Sequence, residues 1–367
     1  ARFEDYDREL LAGAPFRKVA LDRVSRGLVS TLANLGERAL AWLARRALRF
    51  GLQSPTSLGP YGALRRLAER NPADLTIVHT ELPFCIGVDL IAQGRRVAAD
   101  FEDWHSRDLL PSARASRPMR LLAETERKLM RSAAYTSAPS EAMAGALQSA
   151  YGGPCPVVIP NTFPLQAEPA PLPRKTPPGF LWYSQTVGEG RGLEPFLAAW
   201  SLTKAESQVT LLGDIDPTYR DHLSGLVPET KRRWLNFLPL VSPESLPLAI
   251  ATHDIGLALE PTTPESRFLT TTNKVFQYLN AGAAVVATPT AGQKEVLSRI
   301  PGCGIVVNLG DPGALALELD ALLANRERLA AMGAASRAGA VHAFCWEKSS
   351  ALLIATVAAA IPSPLHP

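Results

Sequence analysis

The chain has 367 residues, 46% of them hydrophobic and 20% charged, with a net charge of +3. That length favours two domains, each with its own core, and the composition excludes a disordered or strongly charged chain. The small net charge gives no ground for nucleic-acid binding, and four scattered cysteines without a C-x-x-C pair exclude a disulfide framework or zinc cluster and fit a cytoplasmic setting.

The basic charge is concentrated early: residues 1–70 carry 13 Lys/Arg against 7 Asp/Glu. Within 31–50, Arg38, Arg45 and Arg49 share one helical face with Trp42, while Leu32, Ala39, Leu40, Leu43 and Ala47 share another. Such a helix fits peripheral contact with the anionic inner face of a membrane, or an ordinary surface helix in an Arg-rich chain. The opening is polar and lacks an initiator Met, so the first strand of the first domain is expected upstream of residue 1. No apolar run reaches the ~18 residues of a membrane span; the longest, Ala351 to Ile361, reads as a packed terminal helix.

Short apolar runs then alternate with helical patterns. Strands are expected at Leu75–His79, Val97–Phe101, Ala133–Ser137 and Val157–Pro160, with helices over 84–93, 118–131 and 139–149. Pro164 to Pro178 holds six prolines in 15 residues, which reads as a semi-rigid linker. Beyond it strands are expected at Phe180–Ser184, Gln208–Leu212, Ile255–Leu259, Ala284–Thr288 and Gly304–Val307, with helices over 192–205, 244–252, 273–281, 313–322 and 325–340. This alternation gives an α/β chain of two Rossmann-like domains, 1–163 and 179–344, joined by a linker at 164–178 and followed by a terminal helix and tail at 345–367. The strand ends of the two parallel sheets should face an interdomain cleft, where such folds bind ligands.

Two segments carry candidate chemistry. Tyr183 to Leu193 joins a strand to a helix and contains Gly188, Gly190, Arg191 and Gly192; glycines of this kind let a backbone approach a phosphate. With Asp214 following the next strand it imitates a dinucleotide fingerprint, but the spacing is G-x-G-x-G and the glycines begin four residues after the expected strand. Phosphate binding, a structural loop and an NAD loop all remain open. In Thr270-Thr271-Thr272-Asn273-Lys274, hydroxyls and a Lys open a helix that ends at Gly282, an arrangement suited to a diphosphate and equally to an ordinary capped helix. Asp214-Ile215-Asp216 matches a metal motif only by its two carboxylates. His79 and His105 are placed to line the cleft, whereas His253 reads as structural.

The run Asp254-Ile255-Gly256-Leu257-Ala258, followed by Asn273-Lys274-Val275-Phe276-Gln277-Tyr278 and by Gly282 to Ala287, resembles the donor-binding half of nucleotide-sugar glycosyltransferases of the GT-B fold. The likeness is greatest to the retaining group classed as family 4. Ile159-Pro160-Asn161 and Phe344-Cys345-Trp346-Glu347 resemble the family's domain-end and last-helix motifs, and the likeness covers about residues 73–360. It implies transfer of a sugar from a nucleoside diphosphate to an acceptor hydroxyl with retention, and the basic N-terminal part points to cell-surface polysaccharide or glycolipid synthesis. The partners implied are a nucleotide sugar and a saccharide or lipid-linked acceptor, with no cofactor or metal beyond the donor, and the last helix should return to the first domain. The resemblance assigns catalysis to Glu102, Asp103, Arg191 and Lys274. Donor binding falls to Gln185, Gly188, Gly190, Glu260, Thr271, Thr272, Asn273 and Gln277. Two departures stand out. The family's pair of Glu in the donor loop is replaced by Leu269 and Gln277, and Glu102 occupies the place of a His. These departures keep a catalytically degenerate binding protein in view, beside an NAD-dependent oxidoreductase and a sugar-nucleotide epimerase.

Overall fold

The computed structural model describes residues 11, 13–19, 28–166 and 177–361. Two parallel sheets organise them. The first has the order β1 (Thr76–His79), β2 (Val97–Asp100), β3 (Thr136–Ala138) and β4 (Val157–Val158). The second comprises β5 (Gly179–Val187), β6 (Gln208–Ile215), β7 (Leu235–Leu238), β8 (Ile255–Ala258), β9 (Ala284–Ala287) and β10 (Gly304–Val306) in the order β10-β9-β8-β5-β6-β7. The chain crosses to opposite sides of β5 to lay down β6 and β8, so a crevice opens between the C-terminal ends of β5 and β8.

The principal helices are α1 (Leu28–Ala47), α2 (Tyr61–Arg70), α3 (Glu81–Ala92), α4 (Met119–Ser132), α5 (Glu141–Tyr151), α6 (Leu193–Leu202), α7 (Pro217–Gly225), α8 (Leu246–Ala251), α9 (Glu265–Leu269), α10 (Asn273–Asn280), α11 (Ala291–Arg299), α12 (Pro312–Leu323), α13 (Arg326–His342) and α14 (Trp346–Ala360). Apolar side chains cover both faces of the second sheet. Trp182, Phe196, Trp200 and Leu319 form a cluster on one face, and Leu181, Phe276, Tyr278 and Val285 on the other. Phe84, Leu90, Phe101, Leu129 and Leu147 fill the first domain.

Several elements differ from expectation. Strand β7 and helices α2, α7 and α11 differ from the expected elements: α2 has Tyr61, Leu64, Leu67 and Ala68 at helical spacing, whereas β7, α7 and α11 are short or polar and carry little periodic signal. Strand β3 begins three residues late because Ala133 still closes α4, its N–H donating to the Leu129 carbonyl at 2.9 Å. Strand β5 continues to Val187 through an irregularity between Tyr183 and Thr186, so the glycine loop follows its strand directly, not four residues later.

Of the proline-rich segment, 167–176 lies outside the described residues. Its start is fixed: Asn280 Nδ2 donates to the Pro164 carbonyl at 2.7 Å, and Arg337 Nη1 donates to Asn280 Oδ1 at 2.7 Å. The terminal helix α14 does return to the first domain. The Trp346 N–H donates to the Phe163 carbonyl at 2.9 Å, Thr162 Oγ1 donates to Ser349 Oγ at 2.8 Å, and Arg96 Nη1 reaches the Ala360 carbonyl at 2.9 Å. The stretch Arg326–Ala360 is, contrary to expectation, long and apolar enough to cross a membrane by length and composition. In the fold it is broken at 343–345, and α13 packs against α10 and β9.

Helix α1 turns Ala41 inward and leaves Leu35, Leu40, Trp42 and Leu43 exposed. Arg46 lies over the Trp42 ring at 4.2 Å, and Arg45 Nε ties the helix to the Ser57 carbonyl at 3.0 Å. Leu32 falls outside the described side chains.

Candidate donor and acceptor site

A cleft of about 840 Å³ lies between the domains, with Glu102, Asp103 and Asn161 on one wall and Gln185, Arg191, Glu260, Thr272, Lys274 and Gln277 on the other. This volume suits a small-molecule ligand. The walls are held together by direct bonds. The Trp104 N–H donates to Ser266 Oγ (2.9 Å), Ser140 Oγ to the Leu269 carbonyl (2.6 Å), and Arg107 Nη1 to Glu265 Oε1 (2.8 Å). From α11, Glu295 accepts the Glu141 N–H at 2.8 Å, satisfying the amino end of α5.

The glycine loop turns at Gly190 and Gly192, both with left-handed φ, +71° and +74°. At Gly192 a Cβ would stand 2.9 Å from the Leu259 carbonyl, so only glycine lets α6 begin this close to the end of β8. Gly188 and Gly190, assigned to donor binding from the sequence, do not line the cleft, whereas Arg191 and Gln185 do. The lengthened β5 displaces the glycines and leaves Arg191 to line the cleft.

Lys274 lies in the first turn of α10, with its Nζ 2.9 Å from Glu260 Oε1 and 5.4 Å from the centre of the Trp182 ring. Both partners of this ion pair are nearly buried. Burial works to raise the Glu260 carboxyl, but the Lys274 ammonium, with further help from Arg191 and a hydrogen bond from Thr272, brings it below its usual range. Glu260 is therefore the partner of Lys274, and it also lines the cleft. This pairing is not legible from sequence, since the residues are 14 positions apart on different elements.

Thr272 sits at the N-cap of α10 without a side-chain capping bond, so the helix start faces the cleft in the manner of an anion site. Asn273 is exposed beside it. The Thr271 hydroxyl is buried and donates to the Gly292 carbonyl at 2.8 Å, which anchors α10 to α11 instead of presenting that proton to a ligand. Gln277 Oε1 and Thr270 Oγ1 are buried with no hydrogen-bond partner, and both residues line the cleft. Buried polar atoms are rarely left this way, so a polar ligand is the natural complement.

Opposite them, Glu102 and Asp103 follow β2. The Glu102 carboxyl is raised by partial burial and then by the neighbouring Asp100 charge, and Asp103 Oδ1 accepts a long bond from Ser266 Oγ at 3.5 Å. Asp216 caps α7 through the Thr218 N–H at 2.9 Å, which accounts for it without a metal. His253 is internal as expected, with Nε2 3.0 Å from Thr210 Oγ1. His105 is not a cleft residue. It packs edge-on to Phe84 at 5.2 Å, and burial lowers its pKa.

Residues 177–325 match the family described as glycosyl transferases group 1. Among solved structures, sucrose-phosphate synthase from Thermosynechococcus elongatus is similar at 19% identity and TM-score 0.65, over 81% of this chain and 76% of that one. Anabaena HepE in complex with UDP and glucose is similar at 16% identity and TM-score 0.63, over 83% of each chain. A UDP-forming trehalose-phosphate synthase from Burkholderia xenovorans is similar at 13% identity and TM-score 0.59, over 91% and 86%. No curated protein matches by sequence. Residues 177–325 are thus similar to the glycosyl transferases group 1 family, and the chain has the GT-B fold of these solved structures.

Proposed function

We propose that this chain moves a sugar from a nucleoside diphosphate, with UDP the first choice, to a saccharide or lipid-linked hydroxyl in the synthesis of a surface polysaccharide or glycolipid. The observation that carries the reading is the convergence on one wall of Arg191, Lys274, the start of α10 and the unpartnered Gln277 Oε1. Breaking the sugar–phosphate bond builds negative charge on the departing diphosphate. Preorganised cations and helix N–H groups stabilise that charge more in the transition state than in the ground state. Gln185, Thr272 and Asn273 would complete the donor site, and Glu102 and Asp103 would face the sugar or acceptor. Retention, implied by the resemblance, is read from the anomeric configuration of the product. No metal is needed for this scheme. An NAD-binding role is disfavoured because Asp214, which would hold the ribose, does not line the cleft.

Helix α1 favours a cytoplasmic enzyme working at an anionic membrane surface, since exposed Leu40, Trp42 and Leu43 lie beside Arg45, Arg46 and Arg49.

The test of the nucleotide is a thermal-shift panel of UDP, GDP, ADP, dTDP and NADH. A ligand at about 100 times its Kd stabilises the fold by about 2.7 kcal/mol. A shift with one nucleoside diphosphate names the donor base. A shift with NADH alone, or with none of the five, refutes the sugar-transfer reading.

A further inference from the structure

Helix α9 lies between the two walls and carries a cation that the scheme above does not use. By sequence Glu265–Leu269 belongs to the second domain, yet most of its side chains are bound to the first. Glu265 Oε1 accepts from Arg107 Nη1 at 2.8 Å, and Ser266 Oγ accepts the Trp104 N–H at 2.9 Å. Leu269 is buried in the apolar cluster of the first domain, with Phe268 packed against it. The Ser140 hydroxyl adds a bond to the Leu269 carbonyl at 2.6 Å. Arg267 is the exception. It is half-buried and lines the cleft, and its guanidinium has no hydrogen bond or ion pair among the described residues.

Thr270 closes the same helix three residues later. It also lines the cleft, and its Oγ1 is buried without a hydrogen-bond partner. Residues three apart on a helix share a face. A fixed backbone thus presents an unpaired guanidinium and an unpaired hydroxyl side by side. The planar fork of Arg matches a carboxylate or a phosphate with two charge-assisted hydrogen bonds, and the hydroxyl supplies one more donor.

Arg267 stands apart from the diphosphate cations in its surroundings. Arg191 and Lys274 both act on Glu260, whereas the carboxyl on which Arg267 acts is Asp108, in the first domain. Burial and the Asp103 charge push the Asp108 carboxyl up to about 6, against the pull of Arg267. Neither acid forms an ion pair with the guanidinium among the described residues, so its N–H groups are kept for a ligand.

We propose that Arg267, with the Thr270 hydroxyl, binds a second anionic group of the substrates, a carboxylate or phosphate that is not part of the nucleotide. It is carried by the transferred sugar or by the acceptor, apart from the reacting hydroxyl. Glu102 and Asp103 keep that anion off the first-domain wall and leave neutral hydroxyls there. This inference rests on the sugar-transfer reading and narrows its substrate class to an acidic saccharide.

The test is a calorimetric comparison of acids with their neutral twins. UDP, UDP-glucose and UDP-glucuronate are titrated into the chain, and glucose and glucose 6-phosphate into the chain saturated with UDP; if another nucleoside diphosphate stabilises the chain, its own derivatives replace these. One acid should bind about 10–100-fold more tightly than its twin. Arg267→Gln should abolish that advantage with UDP affinity and melting profile unchanged, and Arg267→Lys, which keeps the charge without the fork, should retain part of it. Thr270→Val should lose a smaller part. An advantage for UDP-glucuronate places the anion on the transferred sugar, and one for glucose 6-phosphate places it on the acceptor. The proposal is overturned if neither acid is favoured, or if the advantage survives Arg267→Gln. It is equally overturned if Arg267→Gln weakens UDP by as much, which would assign Arg267 to the diphosphate. A wild-type chain that binds no nucleoside diphosphate would strike instead at the sugar-transfer reading.

Discussion

Replacing Lys274 separates stability from catalysis at the donor wall. Its ammonium is 2.9 Å from Glu260 Oε1, and both side chains are only 11% exposed, so Lys274→Met leaves a carboxylate buried without its counter-charge. Breaking a buried pair from one side costs about 3–5 kcal/mol, while losing one preorganised contact to the departing diphosphate costs about 10²–10³ in kcat. The double variant Lys274→Met, Glu260→Gln removes both charges at similar volume, and exchanges of this kind are often close to neutral. Urea melts should therefore show the single variant strongly destabilised and the double variant near wild type, while UDP release stays slow in both.

The pH dependence follows from the same pair. Glu260 has a folded pKa below its unfolded value, so the stability it contributes is present above the unfolded carboxyl pKa of about 4.3 and is lost as pH falls through the lower, folded one. Without Lys274, burial dominates and the folded value rises. The destabilisation of Lys274→Met should then be largest near neutrality and shrink below about pH 4. Wild-type kcat in the single variant, or a double variant as unstable as the single, would refute the reasoning.

Two further outcomes are expected. A Cβ at Gly256 would stand 2.1 Å from the Tyr278 ring, so Gly256→Ala should cost about 1–3 kcal/mol by overpacking, or more if the ring cannot shift; an unchanged thermal midpoint would show that β8 and α10 are not packed as described. On α1, exposed Leu40, Trp42 and Leu43 beside arginines should bind vesicles of phosphatidylglycerol and phosphatidylcholine in a flotation assay. Binding should weaken in Trp42→Ala and in 0.5 M salt; equal flotation with neutral vesicles would count against the charged-surface reading.

Much of the donor wall was readable because its signals are local. The run from Thr270 to Gly282 combines a helix start, a cation and a helix stop within 13 residues, and the structure gives a helix there, with Lys274 turned to the cleft. What sequence could not supply were pairings across elements. Nothing near Glu260 announces that it holds Lys274, nor near Ser266 that it receives the Trp104 N–H from the other domain. Helix α11 went unseen because Ala291–Arg299 has only Val296 and Leu297 as large apolar residues. It is secured instead by contacts outside itself: the Thr271 hydroxyl on Gly292, and Glu295 at the amino end of α5. Tyr278 looked like part of a binding motif. Its ring is buried, and its hydroxyl donates to the Leu181 and Leu257 carbonyls at 3.1 Å each, which ties α10 to β5 and β8. That tie is what places the start of α10 at the crevice.

The two walls therefore divide the electrostatic work. On the donor side, Lys274 is paired with Glu260, and Arg191 and Arg267 add further positive charge to the cleft lining, beside the dipole of α10. On the other side Glu102 and Asp103 line the cleft, and Glu102 is already raised by partial burial and by the Asp100 charge. A second anion brought to that wall would meet the carboxylates of Glu102 and Asp103, whereas a neutral polyol would find acceptors for its hydroxyl protons. In the proposed reading, the field across the cleft would orient a donor with its phosphates toward Arg191 and its sugar toward the acids. It also favours an acceptor whose reacting end is uncharged, with any phosphate or lipid carried well away from the β1 and β2 strand ends.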